Sequence, residues 1–279
     1  MKNSTRKNIL KWVGLVILMI IVTSIIENIS TPKAKGIYFK ATKGNNSIYL
    51  ICTIPYIDKH TNFLSGNLTK VLYNTDVLLV NENIYTSKNS CSSKNHQLKY
   101  YLNKEEEKNF NALLKYFNLN YKDIANLTPY KFLEVIDKLL AYKSGLTENK
   151  FDSYLTNIYI KDKKEIVALK DYNSNTFYIN KLKKLINSFT YNSMKTKIGF
   201  SKRVVKAFID GNVKFFEENS YRFDNTENYT INHMTSDKID SLINDKKTYA
   251  VAISYYSLFG KNGILHILKS NGYTIKYIK

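Results

Sequence analysis

The sequence predicts an α/β fold preceded by one N-terminal transmembrane helix. Apolar and alternating runs at residues 37–51 and 246–278 are typical of strands, and the chain between them carries apolar residues at helical spacing. A chain of 279 residues that is 44% apolar can bury the core of one substantial domain. We therefore expect residues 1–34 to form a basic stub, an anchor and a tether, and residues 35–279 to form the α/β domain.

The N-terminal segment has the pattern of an uncleaved membrane anchor. Residues 1–11 carry basic side chains and no acid, and residues 12–26 are almost entirely apolar. With Ile9 and Leu10 included, this run approaches the ~20 residues that a membrane span needs. The flanking charges predict a cytoplasmic N-terminus, and so a single-pass protein of the cell membrane whose C-terminal domain is extracytoplasmic. A cleaved signal peptide is the alternative, although residues 25–30 contain no small-x-small cleavage site.

The domain begins with a predicted β-hairpin. Residues 37–42 and 47–51 are β-favouring runs on either side of a Gly-Asn turn, and the hairpin continues into residues 52–55. Residues 64–74 then have helical spacing, and residues 76–80 form an apolar run typical of a buried strand.

The middle of the chain is predicted to be mainly helical. A polar, unperiodic stretch at residues 84–98 indicates a loop. Helix-start signals or buried helical faces occur at residues 103–117, 121–127 and 129–140. Residues 164–169 are predicted to form another short strand.

The C-terminal stretch predicts a β-α-β unit. Residues 249–253 are apolar and β-favouring, as a strand buried on both faces requires. A glycine-containing turn at residues 260–263 precedes apolar residues at helical spacing, and Gly272 is the expected left-handed helix stop. Residues 273–277 alternate as a half-buried or edge strand does.

The charge is strongly positive, at +19 from 42 Lys and Arg against 23 Asp and Glu. The lysines are scattered among Asn, Ile and Tyr without an arginine-rich helix, so the composition disfavours nucleic-acid binding and favours attraction to an anionic surface. Cys52 and Cys91 are too few for a disulfide framework and lack metal-ligand spacing.

Residues 252–274 resemble the C-terminal signature of the TraB/GumN family, which includes the Tiki membrane-anchored metalloproteases. In that family the strand ends in Gly-x-x-His, and a helix then leads to a Gly-Tyr-x-Val strand. Gly272 and Tyr273 match the start of that last strand, whereas Ser254 and Ser257 stand at the glycine and histidine positions. The resemblance therefore implies that this chain keeps the family's scaffold and lacks its histidine.

The resemblance extends over nearly all of residues 35–279. The family's first hairpin ends in Gly-Thr-Ile-His, and here Cys52 and Pro55 replace the glycine and the histidine. Further family-like segments lie at residues 128–130, 151–155, 204–212 and 230–239. The family fold implies a mixed β-sheet wrapped by helices, with the site at the strand ends of the hairpin and of the closing unit.

The remaining family site positions are also substituted. Asn81 stands where the family has an acid, with Glu82 one residue later, and Lys170 replaces a glutamate. Ile231 replaces an arginine, and Asn232 is kept. Metal-dependent hydrolysis needs aligned N or O ligands and a nearby acid or base. The substituted positions are Cys52, Pro55, Asn81, Lys170, Ile231 and Ser257, which implies no catalytic residue, no metal and no cofactor.

Several residues carry alternative interpretations. Cys52 could act as a nucleophile with His60, or serve as a small apolar filler. The histidines could form a relocated metal site or lie on the surface: His60, His96, His233 and His266. Tyr255 and Tyr256 could plug the strand-end crevice or line it. The candidate crevice residues are Glu82, Asn232, Tyr255 and Tyr256.

Three functional hypotheses follow. The first is a membrane-anchored, outward-facing pseudoenzyme that binds a peptide or protein partner, by analogy with bacterial family members that interfere with peptide-pheromone signalling. The second is a metal-dependent hydrolase or peptidase whose ligands have moved to Glu82, Cys52 or the histidines. The third is a structural or immunity-like surface protein that holds wall polymer or lipid through its positive field. The first is favoured, and the question of enzyme activity stays open.

Overall fold

The computed structural model describes residues 12–13, 15–19, 33–63, 65–80, 98–149, 151–169, 175–222, 226–242 and 247–278. Its strands are β1 (Tyr38–Lys43), β2 (Asn46–Thr53), β3 (Tyr56–Ile57), β4 (Val77–Val80), β5 (Thr147–Glu148), β6 (Glu165–Ala168), β7 (Tyr249–Ser254) and β8 (Thr274–Tyr277). Its helices in the domain are α1 (Gly66–Tyr73), α2 (Lys104–Phe117), α3 (Tyr121–Ile124), α4 (Pro129–Lys143), α5 (Phe151–Lys161), α6 (Asn175–Asn187), α7 (Tyr191–Asp210), α8 (Val213–Glu218), α9 (Thr226–Leu242), α10 (Tyr255–Leu258) and α11 (Ile264–Ser270).

A six-stranded mixed sheet forms the centre of the domain, in the order β6-β4-β7-β2-β1-β8. β6, β4, β7 and β2 run parallel to one another, and β1 is antiparallel to both β2 and β8. Every residue of β4 is buried, and β7 is buried up to its last residue. Uninterrupted burial is typical of parallel strands covered on both faces. The predicted mixed α/β fold is therefore confirmed.

The hairpin and the closing unit lie side by side in this sheet. β1 and β2 are joined by a turn in which Gly44 has a φ of 60°, as the Gly-Asn pattern predicted. In the parallel pairing of β2 with β7, Thr53 lies opposite Ser254. Both strands therefore end at the same edge of the sheet. Residues that follow Thr53 and Ser254 in the chain are brought together there.

The closing unit contains one helix more than the sequence indicated. β7 leads directly into the single helical turn α10, and the predicted helix follows as α11. Gly272 has a φ of 89°, which confirms the left-handed stop after α11. The chain then passes two strands and adds β8 to the outer edge of β1. The β-α-β prediction is confirmed, with α10 as an addition at the strand end.

Two separate hydrophobic cores support the domain. The larger core surrounds the sheet and includes Leu50, Leu79 and Val251. The smaller core is entirely helical and is built mainly from α2, α4 and α6, with Phe110 and Phe132 at its centre. The space where the two cores meet is lined by residues from both, and it contains the cavity described below.

Of the predicted anchor at residues 12–26, residues 14 and 20–26 lie outside the described part of the chain. Among the described residues, no helix is both long enough and apolar enough to cross a membrane. The predicted loop at residues 84–98 also lies almost wholly outside the described residues. The anchor and the extracytoplasmic placement of the domain stay predictions.

Candidate functional site

A cavity of about 540 Å³ lies at the edge of the sheet where β2 and β7 end. Its walls come from the connection between β2 and β3, from α4, α6 and α7, and from α10. Leu133 and Leu140 contribute apolar surface from the helical core, and Val204 and Val205 contribute it from the core around the sheet. A cavity at the carboxyl ends of parallel strands is a common ligand site in α/β folds.

Pro55 forms part of the wall two residues after β2. The backbone N–H of Asn149 donates to the Pro55 carbonyl at 2.8 Å, and the Asn149 side-chain amide donates to the Ile54 carbonyl at 2.7 Å. The pairing of β3 with β5 continues this contact on the far side of Pro55. Hydrogen bonds from Asn149 to the backbone carbonyls thus hold this segment in place. The Pro55 ring is exposed and forms part of the cavity lining.

Tyr255 and Tyr256 enter the cavity from the start of α10. Their ring centroids are 3.9 Å apart. Tyr255 is buried and packs edge-on against Phe216, whereas Tyr256 is 46% exposed. Surrounding protein raises the pKa of both phenols, to about 12 for Tyr256, so both are neutral at physiological pH. Tyr255 therefore fills the base of the cavity, and Tyr256 presents a ring to its interior.

The charged residues of the cavity are mostly basic. Among the described lining residues, Asp137 of α4 is the one acid, and the bases are Lys181 and Lys184 of α6, Lys197 of α7 and Arg222. Burial in the cavity wall raises the pKa of the Asp137 carboxyl. The positive charges of Lys181 and Lys197 lower it and so offset part of this shift. Burial lowers the pKa of the Lys197 ammonium, and the negative charge of Asp137 raises it. The cavity therefore holds more positive than negative charge.

Arg222 closes one side of the cavity against an aromatic ring. Its guanidinium carbon lies 4.9 Å from the centroid of Phe200, which also lines the cavity. Its Nε donates to the Tyr221 hydroxyl at 3.0 Å. A stacked guanidinium is held in one orientation and keeps its remaining N–H donors available to a planar acceptor.

A sequence model of the TraB/PrgY/gumN family matches residues 37–277 of the chain. The chain belongs to this family. The match extends from the first hairpin to the last strand, and it therefore includes both strand ends that form the cavity. The resemblance identified from the C-terminal block and from the order of the family-like segments is confirmed at the level of the family.

Comparison with curated proteins gives a match to a guanylate cyclase beta of Plasmodium berghei (strain Anka). The two are 29% identical over 149 residues, which is 50% of this chain and 5% of that protein. The similarity thus concerns a small part of a much longer protein. No solved structure gives a significant match.

Three further predicted site residues that the structure describes, Cys52, Ser257 and Asn232, are not part of the cavity lining. Cys52 is completely buried within β2, and burial raises the pKa of its thiol. Ser257 is half-buried in α10. Asn232 is 1% exposed, and its amide donates to the Asn262 carbonyl at 2.8 Å, which joins α9 to the turn before α11. These positions support the elements around the cavity.

Several predicted positions lie outside the described residues: Asn81, Glu82, Cys91, His96, Lys170 and the side chain of Ile231. The described histidines are dispersed. His60 and His266 are exposed on different elements, and His233 lies beside the Tyr229 ring, with 4.2 Å between ring centroids. Within the described residues, no three His, Cys, Asp or Glu side chains are grouped so that they could hold a metal ion.

The resemblance to metalloproteases implies a metal ion, but the side chains that the structure describes around the cavity are not suited to bind one. Pro55 has no ligating side-chain atom, and the Cys52 thiol is enclosed in the sheet, away from the cavity lining. Asp137 is the one anionic lining residue, and lysines surround it. A divalent cation requires several anionic or neutral N and O donors with open lone pairs. These residues favour an anionic ligand over a cationic one.

The charged lining residues were not identified from the sequence. Asp137 lies on the polar side of a predicted helix, and Lys197 is one lysine among many in a segment without a predicted element. The lining residues that the sequence did single out, Pro55, Tyr255 and Tyr256, each follow the end of a strand.

Proposed function

We propose that this TraB/PrgY/gumN family member is a membrane-anchored, outward-facing protein that binds a peptide in the strand-end cavity and does not hydrolyse it with a metal. The observation that carries the proposal is Pro55. It stands in the cavity wall at the position where the family resemblance places a histidine, and its side chain can neither bind a metal nor transfer a proton.

The cavity chemistry supports a peptide as the ligand. Its volume of about 540 Å³ is in the range that accommodates a drug-sized molecule or a few amino-acid side chains. Leu133, Leu140 and Val204 offer apolar contacts. Thr196 and Ser201 also line the cavity, and their hydroxyl groups, which donate to backbone carbonyls of α7, can still accept a hydrogen bond. A short peptide presents the same mixture of apolar side chains and backbone hydrogen-bonding groups.

The described nucleophile candidate does not support catalysis. A cysteine attacks as its thiolate, and burial of Cys52 stabilises the neutral thiol. Its sulfur lies 4.0 Å from the carbonyl oxygen of the adjacent Thr53, and no base contacts it among the described residues. Cys52 therefore serves as an apolar core residue next to the cavity.

A peptide-retention experiment tests the proposal. The 279-residue chain, purified in mild detergent, is dialysed against a pool of short peptides, and the retained peptides are identified by mass spectrometry. Thr196→Trp places a large side chain at an exposed lining position, and Asn192→Trp makes the same change one turn earlier, outside the cavity. We expect Thr196→Trp to abolish retention and Asn192→Trp to preserve it. Equal retention by both variants would contradict a cavity site.

The membrane placement has its own test. Residues 1–34 should hold the chain in the membrane pellet after alkaline extraction, with the C-terminal domain cleaved by protease added outside intact cells. A chain that is extracted by alkali, or that is cleaved only after lysis, would contradict the anchored, outward-facing arrangement.

A further inference from the structure

The cavity lining contains three lysines, of which Lys197 is half-buried and Lys181 and Lys184 are exposed. The lining holds Lys181, Lys184 and Lys197, and within the described residues none of them forms an ion pair within 4.0 Å of a carboxylate. Other lysines of the domain do find such partners, for example Lys247 with Glu165 at 2.9 Å. The cavity therefore collects cations that are not neutralised by direct contact.

We infer that the cavity selects its peptide through a carboxylate group, which Lys181 and Lys197 bind from two neighbouring helices. This inference rests on the proposed peptide-binding function and specifies the chemical class of the ligand. Lys181 belongs to α6 and Lys197 to α7, so the two lysines line the cavity from different helices. An anion between them would interact with both at once.

The energetics favour such an anion. Lys197 is half-buried, and withdrawing an ammonium from water costs free energy unless an opposite charge compensates it. Asp137 is the one negative charge that acts on Lys181 and Lys197 among the described lining residues. Lys184 and Arg222 add two further positive charges to the lining. The positive excess is thus present after Asp137 is taken into account. A ligand carboxylate would compensate it.

The rest of the lining restricts what can carry the carboxylate. Leu133, Leu140 and Val204 are apolar residues of the lining, and Phe200 and Tyr256 also belong to it. A highly charged polymer would leave this apolar surface uncovered. A peptide with a carboxylate beside an apolar or aromatic side chain satisfies both parts. The carboxylate can be the C-terminus or an Asp or Glu side chain.

Two peptide libraries test the inference. Both contain random octapeptides acetylated at the N-terminus, and one ends in a free carboxylate while the other ends in an amide. Each is dialysed against the 279-residue chain in detergent, and retained sequences are read by mass spectrometry. The variants are Lys197→Gln, Lys181→Gln and, as a charge-matched control on an exposed position of α7 outside the cavity, Lys202→Gln.

We expect retained peptides to carry a carboxylate and Lys197→Gln and Lys181→Gln each to weaken retention about tenfold, with no effect of Lys202→Gln. Retention that requires the free terminus identifies a C-terminal carboxylate, and enrichment of Asp or Glu in both libraries identifies a side chain. Retention of neutral, amidated peptides that neither lysine variant weakens would overturn carboxylate selection and leave peptide binding intact. Retention of no peptide from either library would overturn both.

Discussion

Asp137 of α4 and Lys197 of α7 both line the cavity, and their opposite charges attract one another. Burial raises the pKa of the Asp137 carboxyl and lowers the pKa of the Lys197 ammonium. The charge of each residue partly offsets the pKa shift of the other. Lys181 acts on both residues as well. Because Asp137 and a ligand carboxylate would be attracted to the same lysines, Asp137 competes with the ligand from within the protein.

Removing this competitor should strengthen binding. We predict that Asp137→Asn tightens the dissociation constant for a carboxylate-bearing peptide by about three- to tenfold at neutral pH, on the order of 1 kcal/mol, since one nearby like charge is lost. Asp237→Asn is the control, because Asp237 is exposed on α9 and lies outside the cavity lining. Titration calorimetry measures both. Weaker binding to Asp137→Asn would contradict the competition.

Binding should also depend on pH through Asp137. As the pH falls, Asp137 accepts a proton at its raised pKa while the ligand carboxylate, with an ordinary pKa near ~4, is still ionised. Binding by the unmodified protein should therefore tighten on acidification, whereas Asp137→Asn should show a nearly flat profile. The charged groups that act on Asp137 or share its lining are Lys181, Lys184, Lys197, Arg222 and Glu134. Parallel pH profiles for the two proteins would exclude Asp137 as the titrating group.

Lys164 stabilises the end of α1 by direct contact with the backbone. Its ammonium donates to the carbonyls of Leu72 at 2.8 Å and Thr75 at 2.7 Å, and it lies 5.6 Å from the centroid of the buried Tyr159 ring. Lys164→Met removes both bonds and should lower the free energy of unfolding by about 1–2 kcal/mol. Lys161→Met, at an exposed position near the end of α5, should change it by less than about 0.5 kcal/mol. Chemical denaturation distinguishes them.

Two glycines should respond oppositely to alanine. A Cβ at Gly263 would lie 2.5 Å from the Phe259 backbone carbon and 2.7 Å from the Leu258 carbonyl oxygen, whereas a Cβ at Gly199 would meet no atom within 4 Å. Gly263→Ala should therefore destabilise the domain by about 2 kcal/mol or more. Gly199→Ala should stabilise α7 by roughly 0.5–1 kcal/mol through helix propensity.

These two effects are separable by unfolding and binding measurements on the same variants. The strain from Gly263→Ala falls on the segment directly after α10, so peptide retention should decrease together with stability. Gly199→Ala should raise stability without reducing retention. An unchanged unfolding midpoint for Gly263→Ala would show that the backbone around Phe259 can move aside.

Most strands of the fold could be predicted from the sequence, and the charged residues of the cavity lining could not. β7 was evident because residues 249–253 form an uninterrupted apolar run, and the hairpin was evident from its turn. α10 was missed because its four residues continue an apolar stretch without room for a helical period. Asp137, Lys181 and Lys197 are separated along the chain and meet only through packing of α4, α6 and α7. No local pattern distinguishes them from the many other charged residues.

The substituted family positions also show that a motif can be recognised in the sequence while its place relative to the cavity cannot. Pro55 and Ser257 were recognised as substitutions because each follows a strand with a recognisable pattern. The structure places Pro55 in the cavity and Ser257 outside its lining, a difference set by the helical turn α10 that begins at Tyr255. Burial and direction within a turn depend on packing, which a short motif does not specify.

The central claim is that the protein binds a peptide without cutting it. The most direct test is to incubate the purified chain with its retained peptides in the presence of zinc, manganese or cobalt and to follow peptide masses over time. Our account predicts that the peptides stay bound and intact under every condition. New cleavage products that form with one metal, disappear with a chelator and are absent for Thr196→Trp would contradict it and establish a hydrolase with relocated ligands.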